Sequence, residues 1–498
     1  MGAESAPIYL DHAATTPVDP RVIRRMADVL ALPLGNAAAV HAPGRAAHEL
    51  VEASRAQVAA LIGAAAEDIV FTSGATESNN LAITGTARLA LQRGAKPHIV
   101  TLATEHKSVL EPVRALQAQG VPVSILRPGH DGLLDPEVLS AALRPDTALV
   151  SLLHVNNETG VAQDVAALSA VCRARGVPLH LDCCQSAGKL PVAANDVALL
   201  SCTAHKLGGP QGIGALYVSP AHRGRLAPQM LGGGHERGLR AGTLAVHQIA
   251  GFGLAAELAA SRRAAESQRL AALRDRLWAG LSRLPGVLRN GHATARAPHI
   301  LNVSFEGIEG ESLFAALPEL VLSTGSACNS RSAEPSFVLR ALGRDTELAQ
   351  GSLRFSLGHD TTEAHIDAAL DAVRRAHAVL SGLSPARPLP LAGWSGNDGT
   401  QLWVGEGGAQ RLGAWVRIAA RVEGGQIREA RCQVYGCPHT QAACRLVCGQ
   451  LLGLAPGISP GTPQHWLQAV NGPVEKLGRM LIIEDAIRAL QSTPWPSR

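Results

Sequence analysis

The sequence predicts an α/β protein: a mostly parallel sheet covered by helices, a smaller α+β domain after it, and a further α+β unit at the C-terminus. Three observations carry this. Short, near-continuous apolar runs recur through the first half of the chain, with helix-like stretches between several of them. After residue 245 the pattern changes to one long Ala/Leu/Arg-rich helix. SGLSPARPLPLAGWSGNDG (381–399), rich in Pro, Gly and Ser, then introduces residues of different character.

The expected strands of the first part are IVTLAT (99–104), ALVSLLHV (148–155), VPLHLDCC (177–184), VALLSCTA (197–204) and IGALYVS (213–219). Strands this uniformly apolar are buried on both faces, as in a parallel sheet with helices on each side. Helices are expected at 77–94, 164–176 and 245–284. ILNVSFEG, SLRFSLG and the helix TTEAHIDAALDAVRRAHAVL make up the smaller domain. The limits read as 16–259 for the large domain, 1–15 with 260–382 for the small one, 383–399 for a linker and 400–498 for the tail. In the tail, WVRIAARVEGGQIREARCQVYG reads as a hairpin turning at Glu423-Gly424-Gly425, with helices near 440–452 and 480–491.

Aromatics are only 3% of the chain, so its cores must rely on Ala, Leu, Val and Ile. The 45 basic and 41 acidic residues nearly balance, which gives no electrostatic case for nucleic acid or a membrane surface. No export signal or apolar run of about 20 residues is visible. Nine cysteines, an odd number without an export signal, fit a reducing cytoplasm and reactive or metal-binding thiols.

Several polar groups sit where such a sheet places chemistry. FTSGATESNN (71–80) turns from a strand into a helix N-terminus, which suits a phosphate, though such a turn is as often a plain cap. Lys206 follows an apolar strand, where a partly desolvated amine can form a Schiff base; a snorkelling lysine is the ordinary alternative. Asp182 ends another strand and needs a partner, such as a protonated pyridine nitrogen, unless it simply caps a helix. Gln185 lies three residues on, and His106 offers a flat ring at a further strand end. Cys328, among Ser, Gly, Ala and Asn, reads as a thiol on an exposed loop, either a nucleophile or inert. Arg354, inside a strand-like stretch, can bind a carboxylate bidentately or form a structural ion pair.

YLDHAATTPVDP (9–20), FTSGATESNN, TEHKSVL, LLHVNNETGVAQD, AHKLGGPQGIGALYV, GGGHERGLRAGTLAVHQ (232–248), GSACNS and LRFSLG occur in this order. Together they resemble the NifS/IscS-type cysteine desulfurases, a class V branch of the fold-type I pyridoxal-phosphate (PLP) enzymes. The resemblance runs over nearly all of residues 8–380. It implies that L-cysteine is converted to L-alanine while the sulfur passes to Cys328 as a persulfide. It implies further that Lys206 holds the cofactor, Asp182 pairs with its ring nitrogen, and Asn157 and Gln185 contact its hydroxyl side. His106 would stack on the ring and move protons. Ala75, Thr76, Thr203 and His205 would hold the phosphate, joined by Thr243 across a homodimer. Arg354, with Asn36, would bind the substrate carboxylate. The sequence departs from the family pattern at Cys183, where Ala usually packs under the ring, at Ala204 and in GNAAAVH (35–41).

Cys432, Cys437, Cys444 and Cys448 lie within 17 residues, a density that suggests zinc or an iron–sulfur cluster, with buried small thiols the alternative for the last two. The tail also resembles, more distantly, the U-type (NifU/IscU-like) iron–sulfur scaffolds, which use one Cys in each of three segments. Here Leu412 and Gly478 stand at the first and third positions and Ala414 replaces the usual Asp, so Cys437 alone remains. Cys437, with Cys328, is the expected metal ligand, and Cys437 is also a candidate acceptor of sulfur. An iron–sulfur scaffold or other sulfur-acceptor protein is the expected partner, and iron–sulfur assembly or thiolation the expected use. The alternatives are another class V enzyme, such as a selenocysteine lyase or aminotransferase, and a sulfur-carrier or scaffold fusion. The GSAC thiol favours desulfuration over transamination.

Overall fold

The computed structural model describes residues 7–324, 335–381, 394, 400–409 and 414–493. Cys328, Leu412 and nearly all of the expected linker lie outside the described residues.

The chain enters on β1 (Ile8–Tyr9) and then builds a seven-stranded sheet. Its strands are β2 (Ile69–Thr72), β3 (His98–Leu102), β4 (Val123–Leu126), β5 (Thr147–Leu153), β6 (Leu179–Asp182), β7 (Leu199–Thr203) and β8 (Gly214–Val218). Their order is β2-β8-β7-β6-β5-β3-β4. β3 to β7 are parallel, as the apolar runs predict, while β8 is antiparallel to both its neighbours. The connection from Thr203 to Gly214 is too short for a helical crossover, so the chain must return antiparallel. β4 was not foreseen; it is a half-exposed edge strand without an unbroken apolar run.

Helices cover both faces. Ala42–Ile62, Val165–Ala174 and the first turns of Val246–Leu281 pack in one core with Val58, Leu168 and Phe252, while Ala75–Gln92 and Lys107–Ala118 pack in the other through Leu81, Ile83 and Val113. The later turns of Val246–Leu281 join a different core through Leu270, Leu273 and Leu277. That core backs a second sheet. It comprises β9 (Val287–Arg289), β10 (Ile300–Phe305), β12 (Ser323–Thr324) and β13 (Ser352–Ser356), all antiparallel, with helix Glu363–Ser381 over it. The intervening β11 (Leu320–Val321) pairs in parallel with β1 and fastens the N-terminus there.

The tail forms a third core. β14 (Gln401–Ala409), β15 (Ala414–Glu423), β16 (Gln426–Tyr435) and β17 (Gln491–Thr493) lie in the antiparallel order β16-β15-β14-β17. The expected hairpin turns at Gly424 and Gly425, both at positive φ (57° and 78°), where glycine is strongly favoured. Helices Pro438–Gln450, Pro463–Ala469 and Leu477–Arg488 pack beside it; the middle one, short and opened by Thr462-Pro463, escaped the sequence reading. Among the described residues no helix is long and apolar enough to cross a membrane.

Candidate active site

A cavity of about 550 Å³ opens at the C-terminal ends of the parallel strands, where open α/β sheets place their ligands. Leu153, Asp182 and Thr203, the last residues of β5, β6 and β7, line it. Ala75, Thr76, His106, Asn157, Gln185, His205, Lys206 and Arg354 line it too, so the structure brings most of the expected site residues together. Asn36 does not join them: it is exposed, and its Oδ1 accepts from the Ala38 N–H at 2.9 Å in a local turn. Thr243 is also exposed and off this cavity.

Gly74 leads into helix Ala75–Gln92, whose first N–H groups face the cavity with no intrahelical acceptor. The turn fits because Gly214 lies against it; a Cβ at Gly214 would stand 2.7 Å from the Gly74 backbone. Asp182 is buried, and its carboxylate accepts from the Asn79 amide at 2.7 Å and the Cys184 N–H at 3.0 Å. Asn79 also donates to Ser108 Oγ at 2.8 Å, which lies 2.8 Å from His106 Nδ1. His106 caps helix Lys107–Ala118 and, through burial, titrates below its usual range. A hydrogen-bonded chain thus joins His106 to Asp182, and its two middle members were invisible in sequence because both read as ordinary helix residues.

Lys206 Nζ donates to the carbonyls of Ala13 and Ala14. Burial, against the pull of nearby acidic groups, lowers it from 10.5 to about 8. Burial with Lys206 and Lys189 nearby brings His205 to about 4, a neutral imidazole; its Nδ1 lies 3.1 Å from Thr15 Oγ1. Gln185 donates to the Ala13 carbonyl at 2.8 Å. Arg354 is engaged already: its guanidinium donates to Asp11 Oδ1 (2.6 Å), Ser323 Oγ (2.9 Å) and the Asn157 carbonyl (3.0 Å), while Nε has no hydrogen-bond partner among the described residues. Asp11, also missed, makes the ion pair that was the ordinary reading of Arg354.

Cys183 does not lie under the cavity. It is fully buried in the core, whereas Cys184 lines the cavity wall. Successive side chains alternate at the end of a strand; with Asp182 facing the cavity, Cys183 turns inward and Cys184 turns back.

The tail's thiols divide differently from expectation. Cys432, Cys444 and Cys448 bring their sulfurs within 4.8 Å of one another. The other two thiols hydrogen-bond to Cys432 and pull its titration down, while Cys444 is pushed up. Cys437, the expected ligand, is outside this group: it is fully buried, with Sγ 3.3 Å from Thr440 Oγ1. It is the N-cap of helix Pro438–Gln450, seven residues and so about two helical turns before Cys444.

The family model for class-V aminotransferases matches residues 8–369. The chain is 52% identical over 384 residues to a protein of Pectobacterium carotovorum named cysteine desulfurase IscS, covering 76% of this chain and 95% of the relative. Escherichia coli proteins of the same name match to the same extent. Among solved structures, a NifS-like protein superposes with a TM-score of 0.69 at 32% identity over 75% of this chain and 99% of its own. DndA from Streptomyces lividans does so with a TM-score of 0.60 at 41% identity, over 70% and 99%. The cavity and these likenesses point the same way: the chain belongs to the class-V aminotransferase family, as a cysteine desulfurase of the NifS/IscS type.

Proposed function

We propose that this chain holds pyridoxal phosphate in the cavity and converts L-cysteine to L-alanine, leaving the sulfur on Cys328. The observation that carries the reading is the convergence of Lys206, Asp182 and one helix N-terminus on a single cavity. The donor set suits the cofactor: N–H groups for a phosphate, a buried carboxylate for a ring nitrogen, and an amine of lowered basicity for an aldehyde. When bound, the cofactor supplies an aldehyde for amino groups and a ring that withdraws electrons from the substrate's Cα.

Lys206 would bind the aldehyde, and Ala75, Thr76, Thr203 and His205 the phosphate, with Thr243 of a second copy in a homodimer. Asn79 fixes the Asp182 carboxylate toward the cavity. His106, its titration lowered, offers a neutral ring that can hold a proton. Arg354 would take the substrate carboxylate in competition with Asp11. The Cys328 thiolate attacks the substrate sulfur, the Cβ–S bond breaks, Cβ takes a proton, and alanine leaves a persulfide behind. Replacing Cys328 by Ala tests this: cofactor absorption should persist while persulfide and alanine formation from cysteine are lost. Undiminished alanine formation would overturn the reading.

We infer that the tail is a degenerate scaffold-type domain that docks on the desulfurase and carries thiol-bound metal. Its support is a pinned junction: Ser312 Oγ donates to the Gly436 carbonyl, and Lys476 Nζ lies 2.6 Å from Glu311. The burial of Cys437 argues against direct acceptance of sulfur there without opening. The sulfur would serve iron–sulfur assembly or thiolation in the cytoplasm; the described cysteines, all free, fit a reducing compartment.

A further inference from the structure

We propose that Cys432, Cys444 and Cys448 form an open three-thiolate site for zinc, separate from the scaffold-type position Cys437. The inference rests on the reading of the tail as metal-carrying and names the ligands, the ion and the vacant coordination position.

The sulfurs come from two elements. Cys444 and Cys448 are four apart on helix Pro438–Gln450 and share its buried face. Cys432 meets them from β16, against which that helix packs. All three sulfurs lie within 4.8 Å of one another. A tetrahedral zinc with Zn–S of about 2.3 Å holds its sulfurs about 3.8 Å apart. Closing on the ion therefore draws each pair together by about 1 Å at most, within the reach of small side-chain rotations.

The chemistry of the donors selects the ion. Thiolates alone favour soft or borderline cations such as zinc over magnesium or calcium, and no carboxylate or imidazole joins the group among the described residues. Binding releases the thiol protons to solvent and leaves three thiolates on a divalent ion, one net negative charge. Arg445 lies close enough to Cys432 to offset it. Cys444 is fully buried and Cys448 nearly so, whereas Cys432 is partly exposed. The mouth is thus on the Cys432 side, and the fourth position there takes water or an incoming thiolate.

The test uses the full chain, reduced and kept anaerobic, loaded with zinc sulfate alone and then gel-filtered. One zinc per chain is expected, displaceable by cobalt(II) with thiolate-to-cobalt charge-transfer absorption. C432S and C448S should weaken zinc binding at least about tenfold against a chromophoric chelator, while C437S keeps it. Because these side chains are packed, the unmodified protein gives a second readout: zinc should slow alkylation of Cys432, located by mass spectrometry. Zinc bound by C432S and C448S but lost in C437S overturns the assignment and leaves the tail metal-binding. No zinc retained, or no protection of Cys432, overturns the site altogether. Cysteine turnover should be unchanged in C432S; its absence in the parent chain would instead sink the desulfurase mechanism.

Discussion

The cavity makes a quantitative statement about Lys206. Burial brings its ammonium from 10.5 to about 8. At pH 7 an amine titrating near 8 is about 9% neutral and one near 10.5 about 0.03%, so the cavity raises the reactive fraction by roughly 300-fold. Apo-protein mixed with pyridoxal phosphate should therefore capture the aldehyde at a rate that climbs with pH and levels off near 8. Stopped-flow absorption from pH 7 to 10 measures this, with Lys206→Ala as the blank. The same shift has a sign for stability. Its folded value lies below its unfolded one, so between about 8 and 10.5 the unfolded chain binds more protons, and apo stability rises with pH across that window. A capture rate still climbing tenfold per pH unit at 9 would refute the burial argument.

Three further outcomes follow from named contacts. Asn79→Ala leaves the buried Asp182 carboxylate one charged hydrogen bond short and should cost about 1.5–3 kcal/mol in denaturant unfolding of the apo-protein; no measurable loss would show that the carboxylate is held otherwise. Asp11→Asn removes the carboxylate that competes for Arg354, so KM for cysteine should fall several-fold with kcat little changed; a raised KM would mark the ion pair as structural. Glu236→Ala leaves the buried Arg55, which it clasps at 2.7 and 2.8 Å, with only the half-exposed Glu52 as counter-charge among the described residues, and should destabilise the protein by up to about 3–5 kcal/mol, read as a lower denaturant midpoint.

Much of this site was legible because chemistry on an α/β sheet gathers at strand ends. Asp182, Lys206 and His106 each follow an apolar run, so pattern alone placed them on one edge. Asn79, Ser108 and Asp11 were not legible. Each sits in a segment with its own local explanation, and nothing local says which distant group it will meet. Asn36 was placed by resemblance rather than by pattern, and in the fold its Oδ1 accepts from the Ala38 N–H in a local turn outside the cavity lining.

The sequence by itself determined most of the parallel sheet and the glycine hairpin of the tail, since period and turn chemistry are local properties of the chain. The reversal of β8 followed from loop length and could have been read as well. Only the tertiary structure decided which thiols meet. Cys437 and Cys444 are close in sequence yet apart in the fold, whereas Cys432 reaches Cys448 because a strand and a helix face happen to cross there. The same physics turned Cys183 into the core and Cys184 into the cavity, for a strand's alternation becomes inside or outside only once its neighbours are packed.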